Sequence, residues 1–189
     1  EGVDVVMTDP SHPSGTDRLS EVARIKGWNA EDIIVNVQGD EPTLDPVCVE
    51  RSIALVESGR FSMATPAAAL PNAEAFKNPN VVKVLVAPDS RAVYFSRFPI
   101  PYSRGEVPKD FMESTVRNHL GVYVYTLETL LKFASLPRSP WEAAESLEQL
   151  RALYHGIQIG VAEADHATTG VDTPEDLAAV RSVLSQGKL

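Results

Sequence analysis

The stretch Ile33-Ile34-Val35-Asn36-Val37-Gln38-Gly39-Asp40-Glu41-Pro42 limits what this chain can fold into more than any other. Its first five residues, mostly β-branched and apolar, run without polar alternation into Gln-Gly-Asp-Glu-Pro. An unbroken apolar run of this length predicts a strand covered on both faces, as in a parallel sheet. Hydrophobicity then stops at one point, where Gly39 permits a tight turn and Asp40 follows. In open α/β sheets, ligands bind beyond the carboxyl ends of the strands. An acid there is well sited to hold a hard cation that bridges phosphates. A lone Gly-Asp also serves as an ordinary turn or helix cap, so the remaining motifs decide between the two.

The order of elements predicts an α/β domain. Thr16 reads as the cap of a helix over 17–26 that Gly27 stops. Asp45-Pro46 opens a second helix running to Gly59, and residues 61–69 form the next strand. Strand, helix, strand, helix, strand in that order implies parallel pairing. The middle differs: 81–86 and 91–95 flank Ala87-Pro88-Asp89-Ser90 as a hairpin, and 115–125 is a further strand candidate. A helix follows over 127–134. Ser139-Pro140-Trp141-Glu142 starts another as a capping box, with Leu147, Leu150 and Leu153 inward. Residues 157–162 form a late strand, and Thr173-Pro174 opens the last helix.

Composition removes several classes of function. With 189 residues, 43% hydrophobic and 23% charged, the chain is long enough for one sizeable core. A net charge of −9 argues against non-specific binding to nucleic acid or anionic membrane, which needs a basic surface. A single cysteine, Cys48, permits no internal disulfide and fits a reducing compartment. No apolar run approaches a membrane span. The chain opens on Glu1 rather than Met, and Val3–Thr8 already reads as a strand, so the expectation is a chain lacking its N-terminal part.

Three groups of residues could carry chemistry. Ser14-Gly15-Thr16-Asp17-Arg18 precedes a helix, and backbone N–H groups, hydroxyls and a glycine there suit an anion. Arg18 in the first turn opposes the macrodipole preference for acids, which points to an external anionic partner. Asp172 follows Thr168-Thr169-Gly170-Val171; with Asp40 it could share Mg²⁺, which needs few protein carboxylates. Arg97, His119, Tyr123, Glu148 and Gln149 form the third group. A guanidinium just past a strand suits a carboxylate or phosphate, and His119, Gly121 and Tyr123 alternate onto one strand face. Each of these residues also has an ordinary structural explanation taken singly.

Taken together, His12-Pro-Ser-Gly-Thr-Asp-Arg18, Asn36-Val-Gln-Gly-Asp-Glu-Pro42, Asn78-Pro-Asn-Val-Val-Lys83, Tyr94-Phe-Ser-Arg97, His119-Leu-Gly-Val-Tyr123, Leu147-Glu-Gln-Leu-Arg151 and Gly170-Val-Asp-Thr-Pro-Glu-Asp-Leu177 resemble the 3-deoxy-manno-octulosonate (Kdo) cytidylyltransferases, or CMP-Kdo synthetases. The motifs fall in that family's order and span nearly the whole chain. The resemblance implies a Rossmann-like nucleotidyltransferase sheet, mostly parallel, with an embedded antiparallel section over about 81–125 used for dimerisation. It implies an Mg²⁺-dependent transfer of CMP from CTP to Kdo, feeding lipopolysaccharide assembly in the cytoplasm, by a homodimer. Asp40 and Asp172 would hold the metal, and Ser14, Gly15 and Gln38 would lie near the nucleotide. Arg18, Gln38, Arg97, His119, Tyr123, Glu148 and Gln149 would line the sugar site. The family's opening strand and its loop rich in Arg, Gly and Lys have no counterpart here. Their absence would severely impair turnover. Sialic acid or 8-amino-Kdo offers the same carboxylate and anomeric hydroxyl, and a non-catalytic, dimer-forming sugar-binding module is the reading from another class.

Overall fold

The most buried strand of the chain carries a proline near its centre, and the topology follows from how that proline is accommodated. The computed structural model describes residues 2–12, 14–39, 41–105, 115–168, 170–171 and 173–185. Among them, α1 (Gly15–Lys26) is followed by β1 (Ile33–Asn36), α2 (Pro46–Glu57), β2 (Met63–Ala69) and the short α3 (Ala73–Lys77). Next come β3 (Lys83–Val86), β4 (Ala92–Ser96), β5 (Val116–His119), β6 (Tyr123–Thr126) and α4 (Leu127–Ser135). The chain continues with α5 (Pro140–Glu145), α6 (Gln149–Tyr154), β7 (Ile159–Ala164) and α7 (Pro174–Ser185). The strands form one sheet in the order β1-β6-β2-β5-β3-β4, with β7 pairing β2 along its other edge.

The expected mostly parallel sheet is corrected by these ladders. Among the described residues only β2 and β7 pair in parallel. The β1–β6, β2–β6, β2–β5, β3–β5 and β3–β4 pairs are antiparallel. Alternation of strands and helices does set direction: β1 and β2 run the same way. They are not neighbours, because β6 lies between them and antiparallel to both. Order along the chain fixes orientation but not adjacency. β1 therefore has one ladder partner, yet both its faces are covered. Ile34 joins a cluster with Ala23, Tyr125 and Leu130, while Ile33 and Val35 pack against Val56, Ala64 and Val124. Only Ile34 of the three is buried, and burying a side chain of its size contributes about 1.5–3 kcal/mol. The strand expected over Val3–Thr8 is not one: it joins no ladder among the described residues, and Val3, Val5 and Met7 stand exposed.

β5 and β6 are two halves of one run lying along β2. Ala67 pairs with His119 and Ala64 with Val124, so the four residues 120–123 face only Thr65 and Pro66. Pro66 is the cause. Leu120 N–H donates to the Pro66 carbonyl at 3.1 Å. The return bond of an antiparallel pair needs an N–H that proline lacks. The Leu120 carbonyl accepts instead from Val122 N–H at 2.8 Å, closing a three-residue turn on Gly121. Thr65, fully buried, places its hydroxyl 2.7 Å from the Val122 carbonyl and 3.2 Å from that of Leu120. On the far edge β5 pairs β3 while β6 pairs β1. The run thus bridges two strands, and its break at 119–123 lies where its far-edge partner changes from β3 to β1.

Helix α2 covers one face of the sheet through Cys48 and Val56, and α1, α4 and α6 cover the other through Ala23, Leu130 and Leu150. Burial pushes the Cys48 thiol up, as expected for an inert buried thiol. Ser14, not Thr16, caps α1, its hydroxyl accepting from Asp17 N–H. Gly27 ends that helix in the left-handed region, at φ 65°. The capping box at Ser139 and Glu142 is present, but the helix it opens is broken by Ser146, at φ 53° and ψ 46°.

Thr65→Val keeps the shape of the side chain and removes the hydroxyl that holds the break together. We expect a loss of about 1–3 kcal/mol in denaturant unfolding; an unchanged midpoint would show that the break is held by other contacts.

Candidate active site

Three elements meet beside the break at Pro66. Gln38, just past β1, lies between two glycines. A Cβ on Gly15 would meet its amide at 3.9 Å, and one on Gly121 would meet its Cγ at 3.9 Å and Glu41 Oε1 at 3.6 Å. The start of α1, the exit of β1 and the turn at Gly121 therefore converge on one side chain. A polar line then runs inward from the end of β1. Asn36 Nδ2 donates to the Tyr125 hydroxyl at 2.9 Å, and the Thr16 hydroxyl lies near both Tyr125 and Glu148, with Ser14 near Glu148 as well.

Glu148 and Gln149 arrive at this point because Ser146 turns the chain between α5 and α6. Burial raises the Glu148 carboxyl, and the Thr16 and Ser14 hydroxyls only partly offset it. Glu148 Oε1 is buried with no hydrogen-bond partner, its nearest cation being Arg151 Nη2 at 3.8 Å. Gln149 is 3% exposed, and its amide nitrogen likewise meets no acceptor. An unpaired buried acceptor beside an unpaired buried donor suits a ligand bearing hydroxyls. Behind them a cleft of about 550 Å³ is lined by Ser14, Asp17, Arg138, Glu142, Glu148 and Arg151. Its wall is held by two bonds from Arg151 to Glu142, at 2.9 and 2.7 Å. Burial opposes ionisation of Glu142, but the Arg151 guanidinium outweighs it and holds the carboxyl below its usual range.

His119 and Tyr123 flank the turn, with ring centroids 5.5 Å apart, and Phe95 packs edge-on to His119 at 5.0 Å. Burial pulls His119 down to about 3 and pushes the Tyr123 phenol well up, the latter helped by Glu148. The imidazole is therefore neutral at physiological pH. Thr65 spends its proton on the Val122 carbonyl and so accepts from His119 Nε2, 3.0 Å away. That leaves the lone pair on Nδ1 as an acceptor.

The other candidates fall differently. Arg97, just past β4, is fixed by Glu145 and by the Pro79 carbonyl. Arg18 is exposed and donates to Thr8 at 2.6 Å, not to the cluster around Gln38. Asp40 and Asp172, the expected metal ligands, lie outside the described residues. Sequence reasoning missed Thr65 and Glu145. Thr65 had a signal, being the one hydroxyl in the run Met-Ala-Thr-Pro-Ala-Ala-Ala, whereas Glu145 had none.

Because His119 has a folded value of about 3 against an ordinary 6.5, the unfolded chain takes up a proton first as pH falls. Stability from this group is full above about pH 6.5 and declines as pH drops toward 3. His119→Gln is expected to flatten the unfolding-midpoint profile between about pH 6.5 and 4; a variant curve parallel to that of the parent would contradict the buried neutral imidazole.

Comparison with known proteins identifies the family. A cytidylyltransferase family model matches residues 1–159. A 3-deoxy-manno-octulosonate cytidylyltransferase from Marinomonas sp. (strain MWYL1) is 47% identical over 196 residues, covering 97% of this chain and 73% of the relative. Another, from Acidovorax sp. (strain JS42), is 44% identical over 195 residues, covering 97% and 74%. The solved structure of a CMP:2-keto-3-deoxy-manno-octonic acid synthetase complexed with CTP superposes with a TM-score of 0.85 at 40% identity, covering 98% of this chain and 74% of that one. A glucose-1-phosphate thymidylyltransferase from Bacillus anthracis, in complex with sucrose, shares the fold alone, at a TM-score of 0.56 and 12% identity, covering 93% of this chain and 62% of that one.

Proposed function

The chain belongs to the cytidylyltransferase family and, within it, to the 3-deoxy-manno-octulosonate cytidylyltransferases, and we propose on that premise that it transfers CMP from CTP to the anomeric hydroxyl of 3-deoxy-manno-octulosonate, releasing pyrophosphate. The observation that carries this reading is Gln38 held between Gly15, at the N-terminus of α1, and Gly121, at the break in the strand. A helix start favours the anionic nucleotide, and beside the break lie buried groups suited to a polyhydroxy acid. One side chain spans both.

In the transfer, the anomeric oxygen forms a bond to the α-phosphorus as the bond to pyrophosphate breaks, and the hydroxyl proton passes to solvent water. Such transfers depend on position and charge more than on covalent help from the protein. Ser14, Gly15 and Gln38 face the nucleotide. Arg97 takes the sugar carboxylate, which holds the nucleophile and reduces repulsion between two anions. His119 Nδ1, Tyr123, Glu148 Oε1 and Gln149 Nε2 read sugar hydroxyls; Glu148 is a reader and not a general base. We assign Asp40 and Asp172 to Mg²⁺, since an oxygen-only pair of carboxylates fits an ion that keeps water and phosphate in its shell. When bound, the ion screens the triphosphate and lowers the pKa of the attacking hydroxyl.

A homodimer, a cytoplasmic setting and supply of lipopolysaccharide assembly belong to the same proposal. Val93 and Phe98, 49% and 68% exposed beside the edge strand β4, support self-association there. Among the described residues no helix is long and apolar enough to cross a membrane.

The test is calorimetric binding of 3-deoxy-manno-octulosonate, sialic acid and 8-amino-Kdo in turn, with pyrophosphate release from CTP and Mg²⁺ followed in parallel. We expect 3-deoxy-manno-octulosonate to bind best and release to depend on it. Asp40→Asn and Asp172→Asn should each cut turnover by about 100-fold or more while sugar binding stays within about twofold. Failure to bind any of the three sugar acids would contradict the proposal.

A further inference from the structure

Glu145 is an acid in the last turn of a helix, where the macrodipole disfavours it by about 0.3–1 kcal/mol. The next residue, Ser146, is a non-glycine in the left-handed region, which costs about 1–2 kcal/mol more. Neither feature helps α5. Both are accounted for by Arg97. The Glu145 carboxylate accepts from Ser96 Oγ at 2.6 Å and from Arg97 N–H at 2.9 Å, and its own backbone carbonyl accepts from Arg97 Nε at 3.0 Å.

From the opposite side, Lys83 completes the grip. It is fully buried in β3, and its ammonium gives its three donors to the carbonyls of Arg97, Asn78 and Val81, at 2.6, 2.8 and 2.5 Å. Arg97 Nη1 reaches the Pro79 carbonyl at 3.2 Å within the same loop. Burial lowers the Lys83 ammonium and Glu145 pulls it back up, as expected of charges held close together. The backbone N–H, the carbonyl, Nε and one Nη of Arg97 are thereby all fixed, leaving its outer guanidinium edge to meet a ligand. The five residues 145–149 carry Glu148 to within electrostatic reach of Tyr123 and Tyr125.

We infer that Glu145 is a positioning residue for the sugar acid: it fixes the Arg97 guanidinium, and the left-handed turn at Ser146 sets the span between that guanidinium and Glu148–Gln149. The inference rests on the reading of Arg97 as the carboxylate-binding group. Glu145 itself touches no substrate, and its contribution is delivered through Arg97.

The test is calorimetric titration of 3-deoxy-manno-octulosonate, and separately of CTP, into the parent chain, Arg97→Ala, Glu145→Ala, Glu145→Gln and the Arg97→Ala/Glu145→Ala pair, with unfolding midpoints recorded for each. Alanine removes the carboxylate and keeps the carbonyl that Nε uses, so a loss reports the clamp on Ser96 and the Arg97 backbone. We expect Glu145→Ala to weaken the sugar acid about ten- to a hundredfold with CTP changed by less than about twofold. The loss should largely vanish in the Arg97→Ala background, because the two residues act as one unit. If Glu145→Ala fails to fold, Glu145→Gln carries the same comparison. Parent-like sugar affinity in both Glu145 variants, or losses that add in full in the double variant, overturns the inference. Parent-like affinity in Arg97→Ala overturns the carboxylate reading itself, and with it this inference, whatever the Glu145 variants do.

Discussion

A single missing N–H, that of Pro66, decides where this fold opens. Without it the strand along β2 cannot exchange its second bond at Leu120, and the carbonyl set free folds back onto Val122 across Gly121. Thr65 satisfies what the ladder cannot. The interruption lies where the run passes from β3 to β1 on its far edge, so it marks the point at which the run changes partners. Prolines are usually kept to edges and bulges of sheets; here the proline makes the bulge.

The groups gathered there share an electrostatic logic. A chain with a net charge of −9 needs local means to accept an anionic sugar and an anionic nucleotide. Positive charge is concentrated in Arg97, fixed on several sides, and in the N-terminal amides of α1. The other candidate site groups are kept neutral or short of partners: His119 by burial, Tyr123 by burial and the nearby Glu148, and Glu148 and Gln149 by leaving one polar atom each unpaired. Such atoms cost stability in the empty protein and recover it when a ligand pairs them.

Much of this was legible in the sequence, and the reasons for the rest are physical. Caps and breakers placed α2 at Asp45-Pro46, the end of α1 at Gly27 and the hairpin around residues 87–90, because those signals are local. Pairing was not legible. Which strands become neighbours depends on side chains far apart in sequence, and β6 inserted itself between two strands that chain order made look adjacent. Among site residues, Gln38, His119, Tyr123 and Glu148 were read from motifs and are brought together, while Arg18 stands apart on the surface. Glu145 was invisible because an acid at a helix end looks like solvated surface until its partners are known.

The central claim is that the break at residues 120–122 is where the sugar acid is held. Amide hydrogen exchange with and without 3-deoxy-manno-octulosonate measures this directly. The account predicts that exchange slows in two separated segments, 119–123 and 145–149, with α3 unaffected. Binding of the sugar acid with no slowing in 119–123, or with protection confined to another part of the molecule, would contradict it.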